Sequence, residues 1–254
     1  MVLTTTSCYK CVGGTISCAC CEGNLIKYGR DIRGKQRYFC KKCIKTTVVF
    51  YTYQAYHIGT NPNIIALTKE GVGILSMARL LSISATTILK RIKSIASTLF
   101  SPALLDNQEY EVDELKTYYL QKSNPIWIAY ALERESRRVV SFAVGSRSNA
   151  MLNQVLQPLV EAYPRKIYTD KLKSYKYLID NKIHSIQNRS TNHIERMNLT
   201  LRTHLKRLNR RTLSFSKCVI MLESIIRIYF WSKYVFGANK LSRSVNITLF
   251  SQQK

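Results

Sequence analysis

Acidic residues are scarce in this chain: 15 Asp and Glu stand against 39 Lys and Arg among 254 residues, a formal charge of +24. So cationic a surface disfavours basic partners and favours polyanions, with nucleic acid ahead of an anionic membrane face. Prolines number only five, no long polar tract occurs, and 46% of residues are hydrophobic. That composition excludes a disordered basic tail and allows a buried core. The start, MVLTTTSCYK, lacks both a basic cluster and an apolar stretch. No secretory signal is therefore visible, and a reducing cytoplasm is the expected compartment. The longest apolar run, Cys218 to Phe236, is broken by Glu223, Arg227 and Lys233. Each is costly at the centre of a bilayer, so a buried core helix is expected, with Cys218 inside it and no membrane contact.

Cysteine is almost absent beyond residue 43, because seven of the eight lie within the first 43 residues. Cys18-x-x-Cys21 and Cys40-x-x-Cys43 are separated by 18 residues, the spacing of two knuckles around one tetrahedral zinc. The interval carries Lys27, Arg30, Arg33, Lys35 and Arg37 against Glu22 and Asp31, so a metal-stapled ribbon would present a basic face. Cys8-x-x-Cys11 offers another pair and Cys20 a spare thiol, so a pairing of Cys8 and Cys11 with Cys40 and Cys43 stays open.

Residues 63 to 97 carry apolar side chains at helical spacing, punctuated near Gly71-Val72-Gly73 and Ser82-Ile83-Ser84. Three short helices are expected. Within them LSMARLLSISATTILKRI, residues 75 to 92, has the pattern of a helix-turn-helix. Ala78 permits close packing, Ile83 plugs the turn and Ser84 caps the second helix. That helix would offer Thr86, Thr87, Lys90 and Arg91 to DNA while Ile88 and Ile92 point inward. An ordinary helical hairpin would show the same pattern.

Four segments follow: a zinc-ribbon-like module over 1–50, a helix-turn-helix domain over 51–98, a linker over 99–108 and a catalytic domain over 109–254. In the last, strands are expected from Glu109 to Leu120, Ile126 to Glu133 and Arg138 to Val144. A helix over Ala150 to Ala162, a strand Lys166 to Thr169, a helix Leu172 to Ile179, a strand His184 to Gln187, a helix Thr191 to Leu208 and an apolar helix from Phe215 complete it. Strands followed by alternating strand and helix give a multi-domain α/β protein whose last domain is a mixed sheet with covering helices.

Three acids stand in unusual places. Asp113 lies inside an expected strand, where Asp is disfavoured unless used. Asp170 ends a strand, at the carboxyl edge where open α/β sheets bind ligands, though an N-cap would also place it there. Glu195 is the only acid between Arg189 and Arg211, among seven Lys and Arg. A capping arrangement with Asn192 is the structural alternative. Arg202 lies two helical turns beyond Glu195 on the same face, with Asn198 beside them.

At these residues the sequence resembles the transposases of the IS1 (insertion sequence one) family of bacterial and archaeal mobile elements. The block Ile194-Glu195-Arg196-x-Asn198-Leu199-x-Leu201-Arg202-x-His204-Leu205-x-Arg207-Leu208 carries it most specifically, continued by Leu213-Ser214-Phe215-Ser216-Lys217. Gln36 to Cys40, the helix-turn-helix, Val112-Asp113-Glu114 and Thr169-Asp170 extend it. The resemblance implies an RNase H-like catalytic domain with a DDE triad of Asp113, Asp170 and Glu195, 24 residues separating the last two. Arg202 would be the basic residue that follows the glutamate. The Cys8-x-x-Cys11 pair and the Cys-x-Cys-Cys run depart from the family's usual knuckle.

Three carboxylates from separate segments suit hard cations that retain waters, so Mg²⁺, or Mn²⁺ in its place, is the expected catalytic ion, alongside structural Zn²⁺. Arg196 and Arg202 would join Thr86, Thr87, Lys90 and Arg91 in contacting DNA. The implied protein binds the terminal inverted repeats of an insertion sequence, cleaves a strand and joins the freed 3′-hydroxyl to target DNA. It would act as a homo-oligomer on double-stranded DNA, in a cytoplasmic, nucleoid-associated setting. A DNA-binding regulator with an inactive C-terminal domain, and an RNase H-like nuclease or resolvase, stay open as alternatives. The first would bind without cleaving, the second cleave without joining.

Overall fold

The computed structural model describes residues 10–12, 15–18, 20–48, 54–57, 59–187 and 190–236. Cys8 and the side chain of Cys11, and with them the alternative zinc pairing, lie outside those residues. The chain divides into two compact units, Met1–Ile64 with Gly73–Ile88 and Ile65–Val72 with Leu89–Lys254.

In the first unit, β1 (Lys10–Val12) pairs antiparallel with β2 (Thr15–Ser17). Next come β3 (Leu25–Arg30), β4 (Gln36–Cys40) and β5 (Lys45–Val48), a three-stranded antiparallel sheet. The β3–β4 connection is held by Asp31, whose carboxylate accepts the backbone N–H of Arg33 at 2.9 Å and of Lys35 at 2.8 Å. Gly34 completes the turn at φ +76, a conformation that a Cβ would strain. Folding β4 back on β3 sets Leu25 opposite Cys40 and so returns the second cysteine pair to the first.

Three helices follow, as the apolar spacing predicts: α1 (Thr60–Lys69), α2 (Ile74–Leu81) and α3 (Ala85–Ser97). Ser82 ends α2 in the left-handed region, and the N–H of Ile83 donates to the carbonyl of Ala78. Ser84 caps α3, its Oγ accepting the N–H of Thr87 at 3.1 Å. Ile83, Ile88 and Ile92 are buried.

The second unit is built on a five-stranded mixed sheet. Its strands are β6 (Glu109–Tyr119), β7 (Gln121–Glu133), β8 (Val139–Gly145), β9 (Lys166–Thr169) and β10 (His184–Ser185), in the spatial order β10-β9-β6-β7-β8. β7 is antiparallel to β6 and β8, whereas β9 runs parallel to β6 and β10 to β9. Connecting helices are α4 (Asn149–Glu161), α5 (Lys173–Leu178), α6 (Asn192–His204) and α7 (Val219–Phe236).

Alternation along β6 sends Tyr110 and Val112 to one face, where they meet Leu152, Val155, Leu156 and Leu159 of α4 and Tyr175 of α5. The other face receives α6 and α7. There the ring centroids of Tyr130 and Phe230 are 5.4 Å apart, and the Trp231 indole donates to the Val139 carbonyl at 3.0 Å. Each large apolar side chain so buried contributes about 1.5–3 kcal/mol.

Two sequence expectations shift. The last helix begins at Val219 rather than Phe215, and Cys218 is exposed instead of buried. The cause is position: Cys218 precedes the first turn, and its carbonyl accepts the Leu222 N–H. The helix expected over Thr191 to Leu208 breaks after His204 into a 3₁₀ turn, Lys206–Leu208. Gly71 lies close by, at φ +67, where a Cβ would sit 2.0 Å from the His204 carbonyl oxygen. Among the described residues no helix is long and apolar enough to cross a membrane.

Candidate functional site

The four cysteines of the two knuckles converge: their sulfurs all lie within 4.8 Å of one another. Cys18 Sγ and Cys43 Sγ are 3.8 Å apart, Cys21 Sγ and Cys40 Sγ 3.4 Å. A tetrahedral site with Zn–S bonds of about 2.3 Å has edges of about 3.8 Å, so the set fits zinc. Backbone hydrogen bonding at Cys20 draws the Cys18 thiol down to about 6, while hydrogen bonding with Cys21 pushes Cys43 up to about 12. Cys20 itself is exposed.

A second cluster gathers carboxylates. β9 pairs with β6 only from Glu109 to Val112, so β6 runs on past the end of β9 just where Asp113 and Glu114 stand. Asp170, the next residue after β9, lies alongside that uncovered edge. Oxygens of Asp113, Glu114 and Asp170 lie within 4.8 Å of one another. Hard oxygen donors at this separation could hold a divalent cation.

Asp113 shares the α6 face with Tyr130, its cross-strand partner. Its Oδ2 accepts from Asn198 Nδ2 at 2.7 Å, and Asn198 Oδ1 accepts the Tyr130 hydroxyl at 2.8 Å. Burial raises the Asp113 carboxyl from 3.8 to about 6, with the Glu114 and Asp170 carboxylates adding to the shift and the Glu114 N–H and Asn198 amide opposing it. Glu114 faces the opposite side. Its oxygens accept from the buried Tyr175 hydroxyl at 2.8 Å and Arg147 at 3.2 Å, and burial raises its carboxyl too.

Of the three sequence-selected acids, Asp113 and Asp170 are brought together and Glu195 is not part of the cluster. Glu195 is exposed on the first turn of α6, its Oε1 accepting the Thr191 hydroxyl at 3.0 Å. It stands three residues before Asn198, on the same side of the helix. The alternative pairing with Asn192 gives way, because the residue before the helix is Thr191. Arg202 donates to the Leu208 carbonyl at 2.8 Å and the Lys116 carbonyl at 3.4 Å, and burial lowers its pKa. Arg196 is exposed.

On α3, Thr86 and Lys90 are exposed and Arg91 is half-buried. Thr87 is half-buried as well, its hydroxyl 2.8 Å from that of Ser84 and engaged in the helix cap. Sequence reasoning passed over Glu111, Glu114, Tyr130, Arg147 and Tyr175. Glu111 had a signal: two residues before Asp113 on a strand, it shares that residue's face.

The second unit is thus a mixed α/β domain whose acids gather where one strand outruns its neighbour, in a cluster that could hold a metal ion. Residues 109–236, half of the chain, match the family model described as IS1 transposase, and the chain belongs to that family. It is similar to the Insertion element IS1 protein InsB of Shigella flexneri, 40% identical over 120 residues that make up 47% of this chain and 91% of that protein. The Insertion element IS1 4 protein InsB of Escherichia coli (strain K12) is 38% identical over 120 residues, 47% of this chain and 71% of the relative. Among solved structures, similar chains include the HTLV-2 integrase catalytic core domain in complex with magnesium (trimeric form). That match has 17% identity and a TM-score of 0.33, covering 50% of this chain and 86% of the other.

Proposed function

We propose that the chain is the transposase of an IS1-type insertion sequence, with an N-terminal zinc ribbon, a helix-turn-helix reader of the terminal inverted repeats and an RNase H-like DDE catalytic domain. The observation that carries this reading is the meeting of Asp113 and Asp170 at the carboxyl edge of the sheet in a chain of that family. It would work as a homo-oligomer on double-stranded DNA, at the element's ends and at the target, in the cytoplasm and associated with the nucleoid.

Asp113, Asp170 and Glu195 are the residues that would hold two Mg²⁺ or Mn²⁺ ions. Ions held there supply Lewis acidity at the scissile phosphate and acidify the attacking water or 3′-hydroxyl. Asn198 fixes the Asp113 carboxylate by donating to its Oδ2. Arg147 offsets the charge of Glu114. Arg202, anchored on two carbonyls, presents a positive charge that acts on Asp113. Arg196, exposed on the same helix, contacts the phosphate backbone, as do Lys90 and Arg91 on α3. Thr86 faces base edges, and Thr87 reaches DNA only by leaving its cap. Cys18, Cys21, Cys40 and Cys43 hold the structural Zn²⁺, whose loss would loosen the ribbon.

The test uses purified protein, Mg²⁺ and labelled duplex from the DNA flanking the chain's own reading frame, with cleavage and joining scored separately. Asp113→Ala, Asp170→Ala and Glu195→Ala should each abolish both steps while end binding persists. Substantial strand transfer by folded Glu195→Ala protein refutes the triad. Binding without cleavage by the unaltered chain would point to a regulator, and cleavage without joining to a nuclease.

A further inference from the structure

Helix α6 carries Glu195, yet it has no side-chain cap of its own, because the residue at its N-cap, Thr191, makes no capping hydrogen bond. The Thr191 hydroxyl instead donates to Glu195. The cap is supplied from the sheet. Glu111, wholly buried on β6, places Oε2 at 3.1 Å from the N–H of His193 and 2.9 Å from that of Ile194. Its Oε1 lies 2.6 Å from His193 Nδ1 and accepts from Arg134 Nε at 3.0 Å. Both oxygens of a buried carboxylate are thus satisfied, and two orphan amides of the helix start are satisfied with them.

The same strand grips the same helix a second time, through Asp113 and Asn198. Glu111 and Asp113 are two residues apart on one face, about 6.7 Å along a strand. Ile194 and Asn198 are four residues apart, about 6 Å along a helix. The two spacings agree, so the paired contacts lock α6 in one register on β6, and Glu195 lies between them.

We propose that Glu111 is a positioning residue for Glu195: it docks the start of α6 on β6 and, by taking over the capping role, leaves Thr191 to orient the Glu195 carboxylate. This rests on the catalytic reading above. If α6 can slide or fray, Glu195 still exists but meets the cations less often, so the metal requirement rises before anything else changes.

The test compares the full chain with Glu111→Gln, His193→Ala, Glu195→Gln and the Glu111→Gln/Glu195→Gln double variant on duplex flanking the chain's own reading frame. Cleavage is titrated with Mg²⁺ and Mn²⁺, with end binding and thermal unfolding measured beside it. Glu111→Gln keeps the shape but replaces an acceptor by a donor facing Arg134. At a temperature well below its melting point it should bind ends as the unaltered chain does, while half-maximal cleavage needs about tenfold more Mg²⁺, partly recovered by Mn²⁺. His193→Ala, which removes only the imidazole contact, should shift the titration the same way by a few-fold. Glu195→Gln is expected not to cleave, so it and the double variant are compared by the Mg²⁺ concentration needed for half-maximal thermal stabilisation; there the Glu111 change should add little to the Glu195 change, because its effect passes through Glu195.

A lowered melting temperature with an unchanged Mg²⁺ titration overturns the proposal, as does full additivity in the double variant. If Glu111→Gln does not fold, an unshifted titration for His193→Ala overturns it instead. Activity retained by Glu195→Gln would count against the triad itself, a separate failure that this series distinguishes.

Discussion

Replacing Asp113 by asparagine should make the metal-free protein more stable at pH 8 and less stable at pH 4. The folded chain holds this carboxyl at about 6 against an ordinary 3.8, chiefly through burial. A raised carboxyl favours the fold below 3.8, and that contribution is lost as pH rises through about 6. At about 1.4 kcal/mol per pKa unit, ionised Asp113 costs about 3 kcal/mol at pH 8. Asparagine removes that cost but turns a donor toward Asn198 Nδ2, a loss of about 1 kcal/mol. The expected net gain is about 2 kcal/mol at pH 8, against a loss of about 1 kcal/mol at pH 4, with the two stability curves crossing in between. Urea unfolding followed by tryptophan emission suits the measurement, because both tryptophans, Trp127 and Trp231, lie in the second unit. Divalent cations are left out, and no chelator is added, so that zinc stays in place. A stability difference that does not vary with pH, or an Asp113→Asn protein less stable than its parent at pH 8, refutes the reasoning.

Other consequences are testable separately. Metal analysis should find one zinc per chain, lost in Cys18→Ser and Cys40→Ser but kept in Cys8→Ser; the reverse pattern would reassign the ligands. Glu114→Ala should lower stability by about 1–3 kcal/mol, seen as a reduced melting temperature, because the buried Tyr175 hydroxyl loses its acceptor. Arg196→Ala should reduce the slope of log affinity for DNA against log salt by about one, equally for end and random duplex. An unaltered slope would remove Arg196 from the phosphate contacts.

Much of this architecture could be read from residue order. Gly71 to Gly73 and Ser82 to Ser84 punctuate the three helices because such residues supply turns and caps, and the strands of the sheet follow from runs of alternating and β-branched residues. The cysteine spacing identified a cluster whose members do meet. Alternation along a strand sends adjacent Asp113 and Glu114 to opposite faces, and on that rule alone Glu114 would stand apart from any carboxylate cluster around Asp113. It does not, because β9 is short: Asp170 reaches round the end of that strand, and carboxylates from both faces meet at the uncovered edge. Strand length of a neighbour is not written in the residues of β6. The Glu111 cap spans 82 and 83 positions in the sequence, beyond any local pattern. Thr87 was chosen for its exposed type, but the Ser84 hydroxyl three residues earlier claims it.

Gly71 carries a consequence for how the gene can drift. A Cβ there would overlap the carbonyl oxygen of His204, and the backbone sits in the left-handed region besides. Every missense change of the codon adds that atom, even alanine, the smallest. At most surface turns a population of copies explores several residues without loss, whereas here each amino-acid replacement strains the chain where helix α6 ends. In a saturation library selected for function, this codon should therefore return silent changes almost alone, while exposed Gly73, with nothing within 4 Å of its added atom, should accept a spread of side chains.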